Sequence, residues 1–512
     1  MSSNLAQTSD SAQGFVVGHA IALGNLLLSG WHFPIDNFYF TDSLPYAAAE
    51  RIVGPRPYLL ALIPALVYTL IVLLALRICF RPAQAQKTNL EGICAIALLL
   101  AAPAWIGDWN PMLMTDMHTT TALAALGALV LCAKFAEAEP LNPLLRTWIP
   151  GCFLILVCLA VASDPFCLVF AFGPAAAILA AGSVRRKGRG GVTLALALAL
   201  LAAGIAAGLL VPPAIAALGG FTTENDVSFH IVPVAQWWPN LIDVLFAIIT
   251  LCGANPSDVH GLPGAVMFGI RVVGLVVVLA VMSCVAYSLF RNKEVPLLDR
   301  FLLAGAAALT GICVPSAQFA KGVKQETLWH GGPPLRFLVP AVLFAAILSG
   351  RQISNVLGVV RNPKWRLVSR NTFVLLAGIG LLAGACQSFA LAARMPWIGS
   401  NPALSAAQWL GRHELSQGVG EYWSANLLTA MSGNAVTVRS VVPEDHKLVP
   451  YIWVEDRGFY AKAPEFVVWQ ERNQTGVTEN LVRATYRVCD IKRVSAYRIA
   501  LLNTAGNPAH CS

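Results

Sequence analysis

Charge is what this chain has least of. Only 12% of its 512 residues are Asp, Glu, Lys or Arg, against about 25% in an ordinary soluble domain, and the shortfall excludes a free-standing soluble protein. No convincing repeat and no low-complexity linker interrupts residues 1–393. No Cys or His spacing matches a zinc or haem site. The net charge of +8 does not imply nucleic acid as a partner. The basic residues lie in short loops between apolar runs, which is the distribution that sets membrane topology.

Apolar residues fill the space that charge leaves. They make up 56% of the chain, with a mean hydropathy of +0.64, and several runs reach the roughly 20 residues needed to cross a bilayer as a helix. The clearest are Tyr58–Phe80, Val192–Leu218, Ala265–Phe290 and Thr372–Ala392. With residues 14–30 as a weak first span and a cytoplasmic amino terminus, the inward loops hold most of the cations. Arg185, Arg186, Lys187 and Arg189 form one such group, and Arg361, Lys364, Arg366 and Arg370 belong to another. The outward loops between spans hold only Arg51, Arg56, Lys321, Lys324 and Arg336. This asymmetry predicts about eleven spans with the carboxyl terminus outside; Trp237–Leu251 reads either as a span or as an interfacial helix. Residues 1–13 contain neither Lys nor Arg, and no small-residue cleavage site follows, so the first run reads as an uncleaved anchor.

The fold class expected is mainly α, a polytopic transmembrane bundle over residues 1–393 followed by a small extracytoplasmic α/β domain over residues 394–512. Charged residues return from Arg394 onward. In this tail Ala403–Leu415 and Tyr422–Met431 read as helices by apolar spacing, Val436–Val442, Phe466–Gln470 and Ala496–Leu502 as strands, and a helix near Glu479–Thr485 would complete a small α/β unit. Of the twelve cysteines, all but Cys489 and Cys511 lie in or beside apolar segments, where Cys acts as a small hydrophobe. Those two could form a disulfide in an oxidising compartment.

The outward loops carry the chemistry. Asp36 and Asp42 lie six residues apart in the first, Asp116 and His118 in the second, and Lys321, Lys324 and Arg336 in the fifth. Carboxylates suit general-base work on a hydroxyl, and cations suit a departing phosphate; together they fit transfer of a sugar from a lipid phosphate. Structural readings stand beside these. Asp36 could close an Asx-turn after Pro34, and Asp42 or Asp116 could cap a helix. Ser163-Asp164-Pro165 reads as a helix start with no chemical role. Lys321 and Lys324 could be solvated interfacial charges. Arg336 opens a span and suits bidentate contact with phosphate, while Arg271 could snorkel to the interface. Tyr422 and Trp423 could stack on a sugar or pack the tail's core. Asn473-Gln-Thr475 matches a glycosylation sequon that recurs by chance.

Three stretches resemble the C-type glycosyltransferase superfamily (GT-C), polytopic enzymes that use polyprenyl-phosphate-linked sugars outside the cytoplasm. They are Asp36-Asn-Phe-Tyr-Phe-Thr-Asp42-Ser-Leu-Pro-Tyr46, Thr115-Asp116-Met-His118, and Gly418–Asn426 followed by Val436–Val442. One departure is that Asp42 is followed by Ser43, where many members have adjacent acids, so either Asp36 or Asp42 can be the family's catalytic acid. The resemblance implies a polyprenyl-phosphate sugar donor and a lipid, glycan or protein acceptor. It further implies inversion at the anomeric carbon, a bacterial inner (plasma) membrane location and membrane lipids as neighbours. Asp42, Asp116 and His118 are candidate ligands of a divalent cation, Mg or Mn, as cofactor. A transporter or flippase of a lipid-linked or sugar substrate is the alternative, though repeats and helices broken at mid-membrane are not evident. A non-catalytic scaffold is a third reading, and it would tolerate loss of both first-loop acids.

Overall fold

The computed structural model describes residues 8–79, 90–101, 111–114, 117–137, 143–186, 188–224, 230–255, 261–291, 293–320, 335–358, 362–394, 401–471 and 475–503. Among these, eight helices are long and apolar enough to cross a membrane, and Leu90–Leu100 and Thr147–Ser163 form shorter apolar helices. The protein is thus a multi-pass membrane protein built mainly of helices. Leu59–Cys79, Arg189–Ala217, Gly261–Phe290 and Pro363–Arg394 coincide with the four clearest apolar runs. Leu62, Leu66, Leu70 and Leu73 leave one side of the first of these exposed. A stripe at that spacing is a single helix face, and on a helix of this composition it faces lipid. Leu335–Gly358 is the opposite case, with Leu338 through Gly350 buried in succession, and it forms the centre of the bundle.

The expected first span does not form. Residues 14–30 yield a helix at Ser9–Ala22, 14 residues long, or about 21 Å against the ~30 Å of a hydrocarbon core. The run then breaks at turns around Gly24 and Gly30, both with positive φ, and continues as the strand Trp31–Pro34. This helix packs against Leu44–Val53 and against Tyr422–Met431 of the tail. Gly18 makes the first contact possible: a Cβ there would lie 2.7 Å from the Cβ of Tyr46 and 2.9 Å from the amide nitrogen of Ala47. His19 Nδ1 lies 2.8 Å from Glu50 Oε2 across the same crossing. Phe15, Tyr46, Leu59, Leu410, Leu427 and Phe466 share one apolar core, so the first sixty or so residues are packed together with the tail.

The tail is a three-layer α/β unit. Its sheet runs Lys447–Pro450, Thr437–Glu444, Gln417–Glu421, Phe466–Gln470, Tyr497–Leu502, Val488–Val494. Gln417–Glu421 is parallel to both its neighbours, and the outer pairs are antiparallel. Alternation divides the strand Phe466–Gln470 between two cores. Phe466 and Val468 face the first helix and Tyr422–Met431, while Val467 and Trp469 face Val482 of the helix Glu479–Thr485. Cys489 is disulfide-bonded; its expected partner, Cys511, lies outside the described residues. A second sheet ties the tail to the membrane domain, with Trp31–Pro34 between Thr222–Glu224 and Glu455–Asp456. Arg439 reinforces the junction: its Nε is 2.9 Å from the buried Glu455, and its guanidinium lies over the Trp31 ring.

Candidate active site

A cavity of about 640 Å³ opens where the tail meets the loops on its side of the bundle. Asp10, Asp36, His118, Asp164, Arg336 and Tyr422 all line it. Each reaches it by a different local device.

Asp36 follows the strand Trp31–Pro34, on a loop fastened to the end of the helix Pro143–Ser163. A helix leaves its last carbonyls without intrahelical partners, and this loop supplies them. Asn37 Nδ2 donates to Ala162 O at 2.9 Å and the Phe38 amide to Ser163 O at 2.9 Å. The Phe40 amide donates to Ser163 Oγ at 2.9 Å. Phe38 adopts φ 49° to make the turn, a left-handed conformation that costs a non-glycine residue about 1–3 kcal/mol and gathers at functional sites. Burial pushes the Asp36 carboxyl above its ordinary range; nearby His118 pulls it back, Asp164 raises it further and Arg336 lowers it.

His118 precedes the helix Thr119–Glu137 and also sits at positive φ, 60°. Its Nδ1 donates to Asp164 Oδ2 at 2.7 Å, with both side chains buried. Phe38, Phe166 and Phe337 surround the ring at centroid distances of 5.6, 4.8 and 5.5 Å. Asp164 thus does more than shape the chain. It does hold the turn, its Oδ1 accepting from the Phe166 amide at 3.1 Å. That turn follows the end of one helix, where the sequence suggested only a start, and the second carboxylate oxygen fixes His118.

Arg336 is the second residue of Leu335–Gly358. Its Nη1 lies 3.3 Å from Asp10 Oδ2, and its guanidinium lies over the Phe337 ring. Tyr422 donates its hydroxyl to the other oxygen of Asp10. Burial, with Asp10 beside it, drives the Tyr422 hydroxyl well above its ordinary range, so it stays a neutral donor. Glu421 caps the tail helix carrying Tyr422, accepting from the Trp423 amide at 3.1 Å.

Asp36, His118 and Arg336 therefore line one cavity. Asp42 does not join them at the cavity wall. It is buried in the turn Tyr39–Ser43 and accepts from Thr120 Oγ1 at 2.8 Å and Thr41 Oγ1 at 3.0 Å, linking the loop to the helix Thr119–Glu137. Asp116, Lys321 and Lys324 lie outside the described residues. Asp10 and Asp164 were missed. Asp10 had one available signal, an acid beside Ser9, Ser11 and Gln13 at the head of a supposed span; Asp164 had none beyond its place in an outward loop. Among the described residues, no group of three or more His, Cys, Asp or Glu is arranged to hold a metal.

The fold matches the crystal structure of ArnT from Cupriavidus metallidurans in the apo state, with a TM-score of 0.54 over 97% of this chain and 94% of that one. The two sequences are 12% identical, so the likeness is one of fold. No protein-family model and no curated protein sequence matches the chain.

Proposed function

We propose that this protein is a membrane glycosyltransferase that moves a sugar from a polyprenyl-phosphate donor to a lipid, glycan or protein acceptor on the extracytoplasmic face of a bacterial inner membrane. The observation that carries this reading is one cavity holding carboxylates and a cation at the rim of a membrane bundle. Asp36 accepts the proton of the acceptor hydroxyl, since a carboxyl whose proton affinity is raised by burial is better matched to that task than an ordinary one. The hydroxyl oxygen then forms a bond to the anomeric carbon as the bond to the phosphate oxygen breaks, which inverts the configuration. The leaving lipid phosphate carries away the electron pair beside Arg336, at the amino-terminal end of Leu335–Gly358, where helix dipole and guanidinium both favour an anion. Asp10 is the weaker candidate for base because Arg336 and Tyr422 already engage both its oxygens; it holds Arg336 in place. The His118–Asp164 pair orients a hydroxyl of donor or acceptor. Asp42 braces the loop that presents Asp36. A divalent cation, Mg or Mn, remains a candidate cofactor.

The test is a transfer assay on membranes containing the protein, supplied with a panel of labelled polyprenyl-phosphate sugars. Wild type should transfer label, and Asp36→Asn at matched expression should not. Labelled lipid crossing the bilayer without sugar transfer would replace this reading with the flippase alternative.

A further inference from the structure

Two chemically different sets of aromatic rings line the cavity. On the membrane side Phe38, Phe166, Phe319 and Phe337 present rings without a polar atom. On the tail side Trp423, Tyr451 and Trp453, with Tyr422, present rings that each carry an N–H or O–H. An isoprenoid chain needs only the first kind of surface. A sugar ring needs the second, because it offers a flat C–H face to an aromatic plane and hydroxyls to polar groups at its edge.

The tail-side rings are held as a platform. Tyr451 and Trp453 are two residues apart in the segment between the two sheets, and their rings lie 9° from parallel with centroids 6.3 Å apart. The segment is fixed at both ends. The Tyr451 amide donates to Ser440 O at 2.9 Å in the tail sheet, and Glu455 and Asp456 pair with His32 and Trp31 in the junction sheet. Between them Val454 sits at φ 54°. A β-branched residue there is strained, and the strain is confined to the step that carries the chain from one sheet to the other beside the cavity. Tyr422 meets Tyr451 edge-on at 5.3 Å while its hydroxyl donates to Asp10, so the platform joins the charged floor.

We propose that Tyr451 and Trp453, flanked by Trp423, form an acceptor subsite for carbohydrate, on which a pyranose ring stacks with a hydroxyl directed into the cavity that holds Asp36. This deepens the glycosyltransferase reading and rests on it: the donor lipid enters along the phenylalanine rings, and the acceptor is a glycan or glycolipid bound by the tail. The test uses the full-length protein in nanodiscs and saturation-transfer NMR with maltose, lactose and N,N'-diacetylchitobiose as probes and glycerol as the non-ring control. At least one disaccharide should receive saturation at its ring C–H protons. That signal should be lost in Trp453→Ala and restored in Trp453→Phe, which keeps a flat ring and guards against misfolding. In the transfer assay Trp453→Ala should raise the acceptor KM about tenfold, the scale of one lost aromatic contact, with kcat and donor KM unchanged. No saturation of any sugar, or equal saturation in Trp453→Ala, overturns the proposal. Aromatic-dependent binding without any transfer overturns the enzymatic reading, whereas transfer without such binding overturns the subsite alone.

Discussion

Replacing Asp36 by Asn keeps the shape of the side chain and removes its capacity to take a proton. If Asp36 is the base, the loss should be the contribution of general-base catalysis, about 10²–10⁴-fold in kcat, or about 2.7–5.4 kcal/mol of barrier. Donor KM should not rise, because the substitution removes a negative charge from a cavity whose cation, Arg336, is expected to bind phosphate. The pH profile gives a sharper check. Activity needs Asp36 ionised, so kcat/KM should rise with pH along a limb lying above the ordinary carboxylate value of 3.8, because burial favours the protonated form. Arg336 pulls that carboxyl downward, so the residual activity of Arg336→Met should show the same limb at still higher pH. The assay is sugar transfer from saturating donor across buffers of constant ionic strength, with Asp10→Asn alongside. Asp36→Asn within tenfold of wild type would refute the assignment. A larger loss of kcat in Asp10→Asn, with an unmoved acid limb in Arg336→Met, would transfer the role to Asp10.

The buried His118–Asp164 pair should behave as one unit. His118→Ala and Asp164→Asn should each lower transfer, and the double variant should be no worse than the weaker single one, a coupling of about 0.5–3 kcal/mol in a mutant cycle. Above pH 7, where Glu455 is ionised, Arg439→Ala leaves that carboxylate buried without its cation and should destabilise the tail by about 3–5 kcal/mol, read as earlier urea-induced proteolysis. Burial holds the Glu455 carboxyl up at about 7 against 4.5. The folded state therefore keeps this proton where the unfolded state has lost it, and stability should fall by about 3 kcal/mol as pH rises from roughly 4.5 to 7; Glu455→Gln should flatten that slope. Gly18→Val drives a side chain into Tyr46 and the Ala47 backbone. A cost of about 1–3 kcal/mol should appear as protease sensitivity near the first helix, with the long spans unaffected.

Much of the tail could be read directly. Tyr422–Met431 stands where apolar spacing put it, Phe466–Gln470 where a β-rich run did, and Glu479–Thr485 where a helix was needed to complete the α/β unit. The central strand Gln417–Glu421 did not announce itself, because Gly418 and Gly420 weaken any local strand signal. The fold requires those glycines: a Cβ at Gly418 would lie 2.3 Å from the Phe466 ring, and one at Gly420 would meet Val468 Cγ1 at 2.9 Å. In the site, Asp36, His118 and Arg336 were legible as polar residues in loops between apolar runs. Asp10 lay in the short polar stretch just ahead of an apolar run read as a span, and Asp164 inside a turn that accounts for an aspartate without further explanation.

What the amino-acid sequence determined by itself is the solvent each segment requires. Free energy of transfer accumulates residue by residue along a run of about 20, so the membrane bundle and the polar tail need no knowledge of the fold to be recognised. What the tertiary structure alone decided is which charges share a cavity. Asp10, Asp36, His118, Asp164, Arg336 and Tyr422 come from separate loops and helices. Their partnerships depend on distances of about 3 Å, beyond which Coulombic and hydrogen-bond energies fall away, and no local pattern encodes such a distance. The same holds for the first helix. Its apolar residues would have suited lipid, but the tail was there to bury them.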